Sequence, residues 1–91
     1  MLPTGSVVQA TLGDREIALC RTAEGVYALD GACPHRNGPL GHGALHGYAV
    51  VCPWHAWEFD CRTGIHPDNP AVRVRTYPVV IQDGDILVEL P

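Results

Sequence analysis

Residues 33–57 read CPHRNGPLGHGALHGYAVVCPWHAW and contain two short motifs, Cys-Pro-His at 33–35 and Cys-Pro-Trp-His at 52–55. Each motif combines a soft thiolate ligand with an imidazole, and in each a proline fixes the backbone and removes one N–H donor. With only five histidines in 91 residues, a histidine at ligand spacing after both cysteines is improbable by chance. The motifs therefore predict a metal site with the ligands Cys33, His35, Cys52 and His55.

The order of these ligands bears on which metal the site holds. Two cysteines and two histidines can close a tetrahedral zinc site, but zinc modules usually pair cysteine with cysteine and histidine with histidine. Here the order alternates between the two residue types. Alternation fits a [2Fe–2S] cluster in which Cys33 and Cys52 bind one iron while His35 and His55 bind the other. A zinc-stabilised binding module without a redox role remains the alternative from another class.

Size and composition restrict the classes of protein to consider. A chain of 91 residues corresponds to one domain, 1–91, whose core is small enough for a bound metal to add needed stability. The net charge is -4 and the six basic residues are scattered, which argues against a nucleic-acid partner. No apolar stretch is long enough to cross a bilayer and no signal peptide is visible, so we expect no membrane partner and a reducing, cytoplasmic location.

The chain reads as short strands separated by turn residues, with no segment of helical period, so the predicted fold class is all-β. A terminal hairpin is predicted around the Gln82-Asp83-Gly84 turn, with its first strand running from Val72 to Ile81. The predicted strands are 6–12, 15–21, 26–29, 48–51, 57–60, 72–81 and 85–90. Segments rich in proline and glycine at 31–43 and 63–70 are predicted loops, and His46-Gly47 a tight turn.

The paired motifs resemble those of the Rieske-type iron–sulfur proteins, whose signature is Cys-x-His followed by Cys-x-x-His across a spacer of this length. The resemblance extends from about Cys33 to Val88. It implies an antiparallel β-sandwich that carries a small cluster-binding subdomain, formed by loops at about 31–43 and 52–57. It also implies that a proline-bearing loop at about 63–70 shelters the cluster.

This chain departs from the respiratory members of that family at four positions. Gly38 and Trp54 stand where those proteins have two disulfide-bonded cysteines, and Trp57 and Phe59 stand where they have a serine and a tyrosine that donate to sulfur. Hydrogen bonds to sulfur stabilise the reduced, more electron-rich state. We therefore predict a potential at the low end of the Rieske range, which runs from about -150 mV to about +300 mV.

Several other residues have a structural interpretation that outweighs a functional one. Cys20 and Cys61 have no histidine at ligand spacing and are predicted to be core or strand cysteines. The histidines at 42, 46 and 66 are expected to be solvated turn residues. Glu58 and Asp60 share a strand face without a nucleophile nearby, so they indicate no catalytic pair. One of the two tryptophans beside His55 is expected to shield the cluster from water, without an indication of which.

The resemblance implies an electron-transfer component rather than an enzyme. In the oxygenases of the superfamily, catalysis belongs to a separate mononuclear iron in an additional domain. The predicted role is to carry one electron at a time on one [2Fe–2S] cluster, from an NAD(P)H-linked flavoprotein reductase to a terminal oxygenase such as a ring-hydroxylating dioxygenase. The alternative within the family is the small subunit of an assimilatory nitrite reductase, with the large subunit as acceptor.

Overall fold

The computed structural model describes residues 2–34, 37–54 and 57–90, and in these it contains antiparallel strands and one short 3₁₀ helix, Leu40–His42. The all-β prediction is thus confirmed. The strands are β1 Ser6–Leu12, β2 Arg15–Thr22, β3 Gly25–Asp30, β4 Ala44–His46, β5 Ala49–Val51, β6 Glu58–Asp60, β7 Ile65–His66, β8 Asn69–Arg73, β9 Thr76–Tyr77, β10 Val79–Gln82 and β11 Asp85–Val88.

The largest sheet is a four-stranded base with the order β1-β2-β3-β9. Its first hairpin closes through a two-residue turn, because Leu12 pairs with Arg15 and Gly13 takes a φ of 65° that suits glycine. Along β2 the side chains of Ala18 and Cys20 are fully buried at alternate positions and lie on one face of the sheet, while Ile17 is buried in a smaller cluster on the other. The first of these faces is one wall of the main core.

A second sheet, with the order β4-β5-β6, provides the opposite part of the same core. Leu45, Val50 and Phe59, one from each of its strands, are buried together with Ala18, Cys20 and Leu29 of the base. A short β7–β8 hairpin and the β10–β11 hairpin complete the architecture. Within the described residues, no helix has the length and apolar character to span a bilayer.

Three segment predictions need correction. The expected single strand 72–81 is wrong, because the chain there is divided among β8, β9 and β10, and the last two pair with different partners, β3 and β11. Pro78, which lacks an N–H donor, lies at the switch. The segment 63–70 is not a loop throughout, since it contains β7 and the beginning of β8. The expected tight turn lies one residue later, at 47–48, because His46 pairs with Ala49.

Candidate metal centre

The two motif-bearing loops leave the same end of the β4-β5-β6 sheet. Ala44 pairs with Val51, so Gly43, the last residue of the first loop, lies beside Cys52, the first residue of the second. Val51 also pairs with Glu58, which makes 52–57 a connection between neighbouring strands. Strand pairing alone therefore brings together two loops whose cysteines, Cys33 and Cys52, are nineteen residues apart in the sequence.

Backbone hydrogen bonds close the first loop around Cys33. The Cys33 N–H donates to the Gly38 carbonyl at 2.8 Å, and the Asn37 N–H donates to the Cys33 carbonyl at 2.7 Å. Asn37 takes a φ of 59°, a left-handed conformation that asparagine tolerates better than most residues. At the base of the loop, the Leu40 N–H donates to the Gly31 carbonyl at 2.9 Å.

The side chain of Gln9 on β1 fastens this loop to the base sheet. Its Nε2 donates to the Gly31 carbonyl at 3.0 Å, and its Oε1 accepts from the Gly41 N–H at 2.7 Å. One amide thus satisfies a donor and an acceptor at opposite ends of the loop. Sequence reasoning missed Gln9, and a single glutamine in a strand carries no local signal of this role.

The second loop is closed by the Cys52 N–H, which donates to the Trp57 carbonyl at 2.7 Å. The backbone N–H of Trp54 donates to the Cys52 thiol sulfur. An N–H bond to sulfur stabilises the thiolate and opposes the effect of burial on its pKa. The turn thus presents to the Cys52 sulfur a backbone donor that every substitution at 54 except proline retains.

The thiols of Cys33 and Cys52 meet in the core. The two residues are 1% and 2% exposed, their side chains are neighbours, and no disulfide joins them. Burial, and to a smaller extent the Cys33 thiol, raise the pKa of Cys52. Two adjacent buried thiols of this kind fit one iron of a [2Fe–2S] cluster, which replaces both thiol protons.

Gly38 leaves the space that the Cys52 sulfur occupies. A Cβ at this position would lie 2.7 Å from Cys52 Sγ and 3.2 Å from Trp54 Cδ2. Glycine is therefore required by close approach rather than by backbone conformation. From the sequence, Gly38 is notable only because respiratory members of the family have a cysteine at this position. Its close approach to Cys52 is visible only in the structure.

The other two predicted ligands, His35 and His55, lie outside the described residues. Among the residues that are described, no group of three or more histidine, cysteine, aspartate or glutamate side chains is arranged to hold a metal ion. His42 and His46 are exposed as expected, although His42 lies in the 3₁₀ helix and His46 on β4 rather than in turns. His66 is not: its ring is half-buried and makes edge contacts with Trp57 and Phe59, with centroids 5.5 and 6.0 Å apart.

The two tryptophans occupy different environments. Trp57 is partly buried and packs against the core that contains both thiols, whereas Trp54 is 48% exposed. Phe59 is fully buried in the same core. Trp57 thus shields the thiols on the inside, and Trp54 presents an apolar surface beside Cys52.

A second pair of cysteines also meets in this core. Cys20 and Cys61 are fully buried, as predicted for core cysteines, and their side chains are also neighbours. The sequence contains no motif that relates them.

Of the two carboxylates on β6, Glu58 is exposed and Asp60 forms an ion pair with Arg62 at 2.8 Å, which agrees with a structural role.

Comparison with known proteins places this site in a family. The model of the Rieske [2Fe-2S] domain matches residues 1–78. The ferredoxin component of the naphthalene 1,2-dioxygenase system of Pseudomonas aeruginosa is 32% identical over 90 residues, covering 98% of this chain and 86% of that protein. The 4beta-methylsterol monooxygenase of Methylococcus capsulatus is 42% identical over 82 residues, but the matched part is 77% of this chain and only 22% of that enzyme.

Similar solved structures agree with these sequence matches. The ferredoxin of carbazole 1,9a-dioxygenase from Nocardioides aromaticivorans superposes with a TM-score of 0.87 at 33% identity, covering 96% of this chain and 86% of that one. A ferredoxin in complex with the oxygenase of carbazole 1,9a-dioxygenase also gives 0.87, at 26% identity and 97% and 92% coverage. The nitrite reductase small subunit from Mycobacterium tuberculosis gives 0.84 at 23% identity, covering 99% and 88%, a likeness of fold alone.

Proposed function

The chain belongs to the Rieske [2Fe–2S] domain family, and from that premise we propose that it carries single electrons from an NAD(P)H-linked flavoprotein reductase to a terminal oxygenase such as a ring-hydroxylating dioxygenase. Family membership confirms the resemblance inferred from the two motifs and implies one [2Fe–2S] cluster. The observation that carries the proposal is the meeting of the Cys33 and Cys52 thiols at the ends of two loops in such a chain.

The proposed ligands are those of the two motifs. Cys33 and Cys52 would hold one iron of the cluster, and His35 and His55 the other. When bound, such a cluster supplies one reversible electron at a time without forming a bond to substrate. The chain's own contribution is to position the two sulfurs, to donate the Trp54 N–H to one of them and to exclude water with Phe59 and Trp57.

The oxygenase acceptor is favoured by the relatives that this chain matches over most of its length. The naphthalene 1,2-dioxygenase relative is named as a ferredoxin component, and one similar structure is a ferredoxin bound to an oxygenase. An exposed tryptophan beside the Cys52 sulfur provides an apolar contact where an acceptor would need to approach. The setting in nitrite reductase has the support of fold likeness only.

The domain organisation and location are part of the proposal. Residues 1–91 would form one Rieske domain, with cluster-binding loops at 31–43 and 52–57 and the segment 63–70 sheltering the cluster. Support comes from the common core of the base sheet and the β4-β5-β6 sheet, and from the contacts that His66 of the sheltering segment makes with Trp57 and Phe59. We place the working protein in the reducing environment of the cytoplasm, where free thiols persist.

The ligand assignment is tested by purifying the protein without oxygen and measuring iron, acid-labile sulfide and the electron paramagnetic resonance spectrum. The unmodified protein is expected to be red-brown, and Cys33→Ser, Cys52→Ser, His35→Ala and His55→Ala are each expected to lose the cluster or change its spectrum. His42→Ala and His46→Ala are the matched controls, since both side chains are exposed. A colourless zinc protein, or an unchanged spectrum after His35→Ala, would contradict the assignment.

The acceptor is tested in the native host by purifying the tagged chain without oxygen and identifying the proteins that accompany it. An oxygenase or a flavoprotein reductase would support the shuttle role. A sirohaem-containing reductase would replace it with the nitrite reductase role. Reduction of the isolated oxygenase by the reduced chain, followed by stopped-flow absorbance, then distinguishes direct electron transfer from co-purification alone.

A further inference from the structure

Cys20 and Cys61 lie between the two sheets and belong to neither of the two sequence motifs. Cys20 lies on the inward face of β2, and Cys61 directly follows β6, where its N–H donates to the Tyr48 carbonyl at 2.7 Å. Neither is more than 1% exposed, and both belong to the main core. Their thiols are neighbours in this core and are not joined by a disulfide.

The Cys61 side of this pair borders a surface cavity of about 450 Å³. The wall of the cavity includes Tyr27, Cys61, Arg62, Tyr77 and Pro78. A volume of this size admits water and small polar solutes, since one water occupies about 30 Å³ of liquid. A small oxidant can therefore enter a cavity whose wall includes Cys61.

The surroundings of the pair make the two sulfurs chemically unequal. The hydrogen bond from the Cys20 thiol lowers the pKa of Cys61, and the nearby Arg62 guanidinium lowers it further against the opposing effects of burial and of Asp60. The hydrogen bond to Cys61 and burial raise the pKa of Cys20. Arg62 is held in place by Asp60 at 2.8 Å and by the Tyr48 ring, whose centroid is 3.7 Å from its Cζ.

We propose that Cys20 and Cys61 form a peroxide-sensitive dithiol, with Cys61 as the attacking residue and Cys20 as the resolving residue. The Cys61 thiolate attacks one oxygen of hydrogen peroxide, the O–O bond breaks, and the products are a Cys61 sulfenic acid and hydroxide. The Cys20 sulfur then attacks the sulfenic sulfur, and its proton leaves with the hydroxyl group as water. In sum the two thiols lose two electrons and two protons to form a disulfide, and the peroxide is reduced to two waters.

The disulfide would link β2 of the base sheet to the end of β6, and so tie the base covalently to the sheet that carries both cluster loops. Cross-linking these two distant segments constrains the unfolded chain. The oxidised protein is therefore expected to unfold at a higher temperature than the reduced one. Its cluster ligands Cys33 and Cys52 are not consumed in this reaction.

The test is titration of the cluster-containing protein with hydrogen peroxide, with cluster absorbance recorded at each step. After acid quenching and alkylation of free thiols, digestion with trypsin and an endoproteinase that cleaves before aspartate separates the four cysteines. They fall in fragments 16–21, 30–36, 37–59 and 60–62. The expected result is a disulfide between fragments 16–21 and 60–62 in most molecules before half of the cluster absorbance is lost.

Two variants test the assigned roles. In Cys20→Ser the resolving thiol is absent, so a 1,3-dicarbonyl probe of sulfenic acids should label Cys61. Arg62→Gln should slow oxidation of Cys61 several-fold, whereas Arg73→Gln, which changes an exposed arginine on β8, should leave the rate unchanged. The wild-type measurement does not depend on the folding of either variant.

Three outcomes would overturn the proposal. One is a cross-link that appears only after the cluster is lost, as expected of thiols exposed by unfolding. Another is a disulfide that joins mainly fragments 30–36 and 37–59, which would make the released ligands the reactive pair. The third is an equal oxidation rate in Arg62→Gln and Arg73→Gln, which would remove the electrostatic reason for attack at Cys61.

Discussion

At the scale of single residues, the proposed metal centre depends on the absence of a side chain at Gly38 and of a hydroxyl group at Phe59. Gly38 has no side chain where Cys52 Sγ approaches, and Phe59 has no hydroxyl in the core that holds both thiols. The first omission makes room for the sulfur. The second removes a donor that the respiratory members of the family direct at sulfur, and it keeps the surroundings of the proposed cluster apolar.

Gly38→Ala is expected to reduce cluster occupancy, because the new Cβ would lie 2.7 Å from Cys52 Sγ. We expect overpacking to lower the free energy of unfolding by about 1–3 kcal/mol. Iron content and chemical denaturation measure the two effects. The control is Gly47→Ala, whose φ of 64° strains the backbone but whose Cβ meets no atom within 4 Å. Equal iron loss in both variants would contradict the steric explanation.

Phe59→Tyr is expected to raise the reduction potential from its predicted low value, because a hydroxyl near sulfur stabilises the reduced state. A shift of about 60 mV, one tenfold step in a one-electron equilibrium, is the expected size. Protein-film voltammetry measures it. Phe59→Leu supplies no hydroxyl and should leave the potential nearly unchanged while it lowers stability. A potential that does not move in Phe59→Tyr would remove the hydrogen-bond argument.

At the scale of elements, each loop that carries a candidate cysteine ligand is held at both ends. The 52–57 loop begins and ends on paired strands, whereas the 31–43 loop is closed by backbone bonds and by Gln9 of β1. Loops fixed in this way can present ligands with little conformational entropy left to lose.

Elsewhere the β3–β9 pair is reinforced by Tyr77, which donates to the Asp30 carboxylate at 2.5 Å.

Gln9→Ala is expected to lower the free energy of unfolding by about 1–3 kcal/mol, because the Gly41 N–H and the Gly31 carbonyl lose their partner. It should also speed loss of the cluster on exposure to a chelator. Val8→Ala is the matched control on the same strand, since Val8 is 41% exposed. The anchoring role would be wrong if both variants lost their clusters at the same rate.

Tyr77 makes the stability of the β3–β9 pair depend on alkaline pH. Burial and the hydrogen bond to Asp30 raise the pKa of Tyr77. A raised pKa means that the folded state favours the protonated phenol, so this stability is complete below about pH 10 and is lost as the pH rises through the folded-state pKa. Urea denaturation at a series of pH values should show a smaller alkaline loss in Tyr77→Phe than in the unmodified protein. Parallel curves would contradict this assignment.

At the scale of the whole molecule, the base sheet and the proposed metal centre have separate tasks. The base supplies one wall of the core, while the two loops place the Cys33 and Cys52 thiols against Trp57 and beside the exposed Trp54. Electron transfer to a partner requires a short path from the cluster to the surface of the chain. The exposed indole at 54 lies close to the Cys52 sulfur, since both adjoin Gly38.

Trp54→Ala is expected to lower the second-order rate constant for oxygenase reduction roughly tenfold, the effect of losing about 1.4 kcal/mol at an interface. The reduction potential should not change, because the N–H that donates to Cys52 belongs to the backbone. Stopped-flow kinetics and voltammetry separate the two readouts. Val80→Ala on the C-terminal hairpin is the control, as Val80 is also exposed. A shifted potential in Trp54→Ala would assign Trp54 to the cluster rather than to the partner.

The sequence by itself determined the fold class, the family and the candidate ligands. Turn signals such as Gly13-Asp14 are local, and so are the spacings in Cys-Pro-His and Cys-Pro-Trp-His, which is why β1 and the two motifs were readable without a structure. The division of 72–81 among three strands was not readable, because it depends on which neighbouring strand each part pairs with.

Only the tertiary structure decided which distant side chains meet. It placed Gly38 against the Cys52 sulfur, fastened the first loop with Gln9, and brought Cys20 into contact with Cys61. It also turned His66 from an expected surface residue into a packing partner of Trp57. Such contacts arise when two sheets pack on one core, and the free energy of that packing depends on pairs of residues that no local pattern connects.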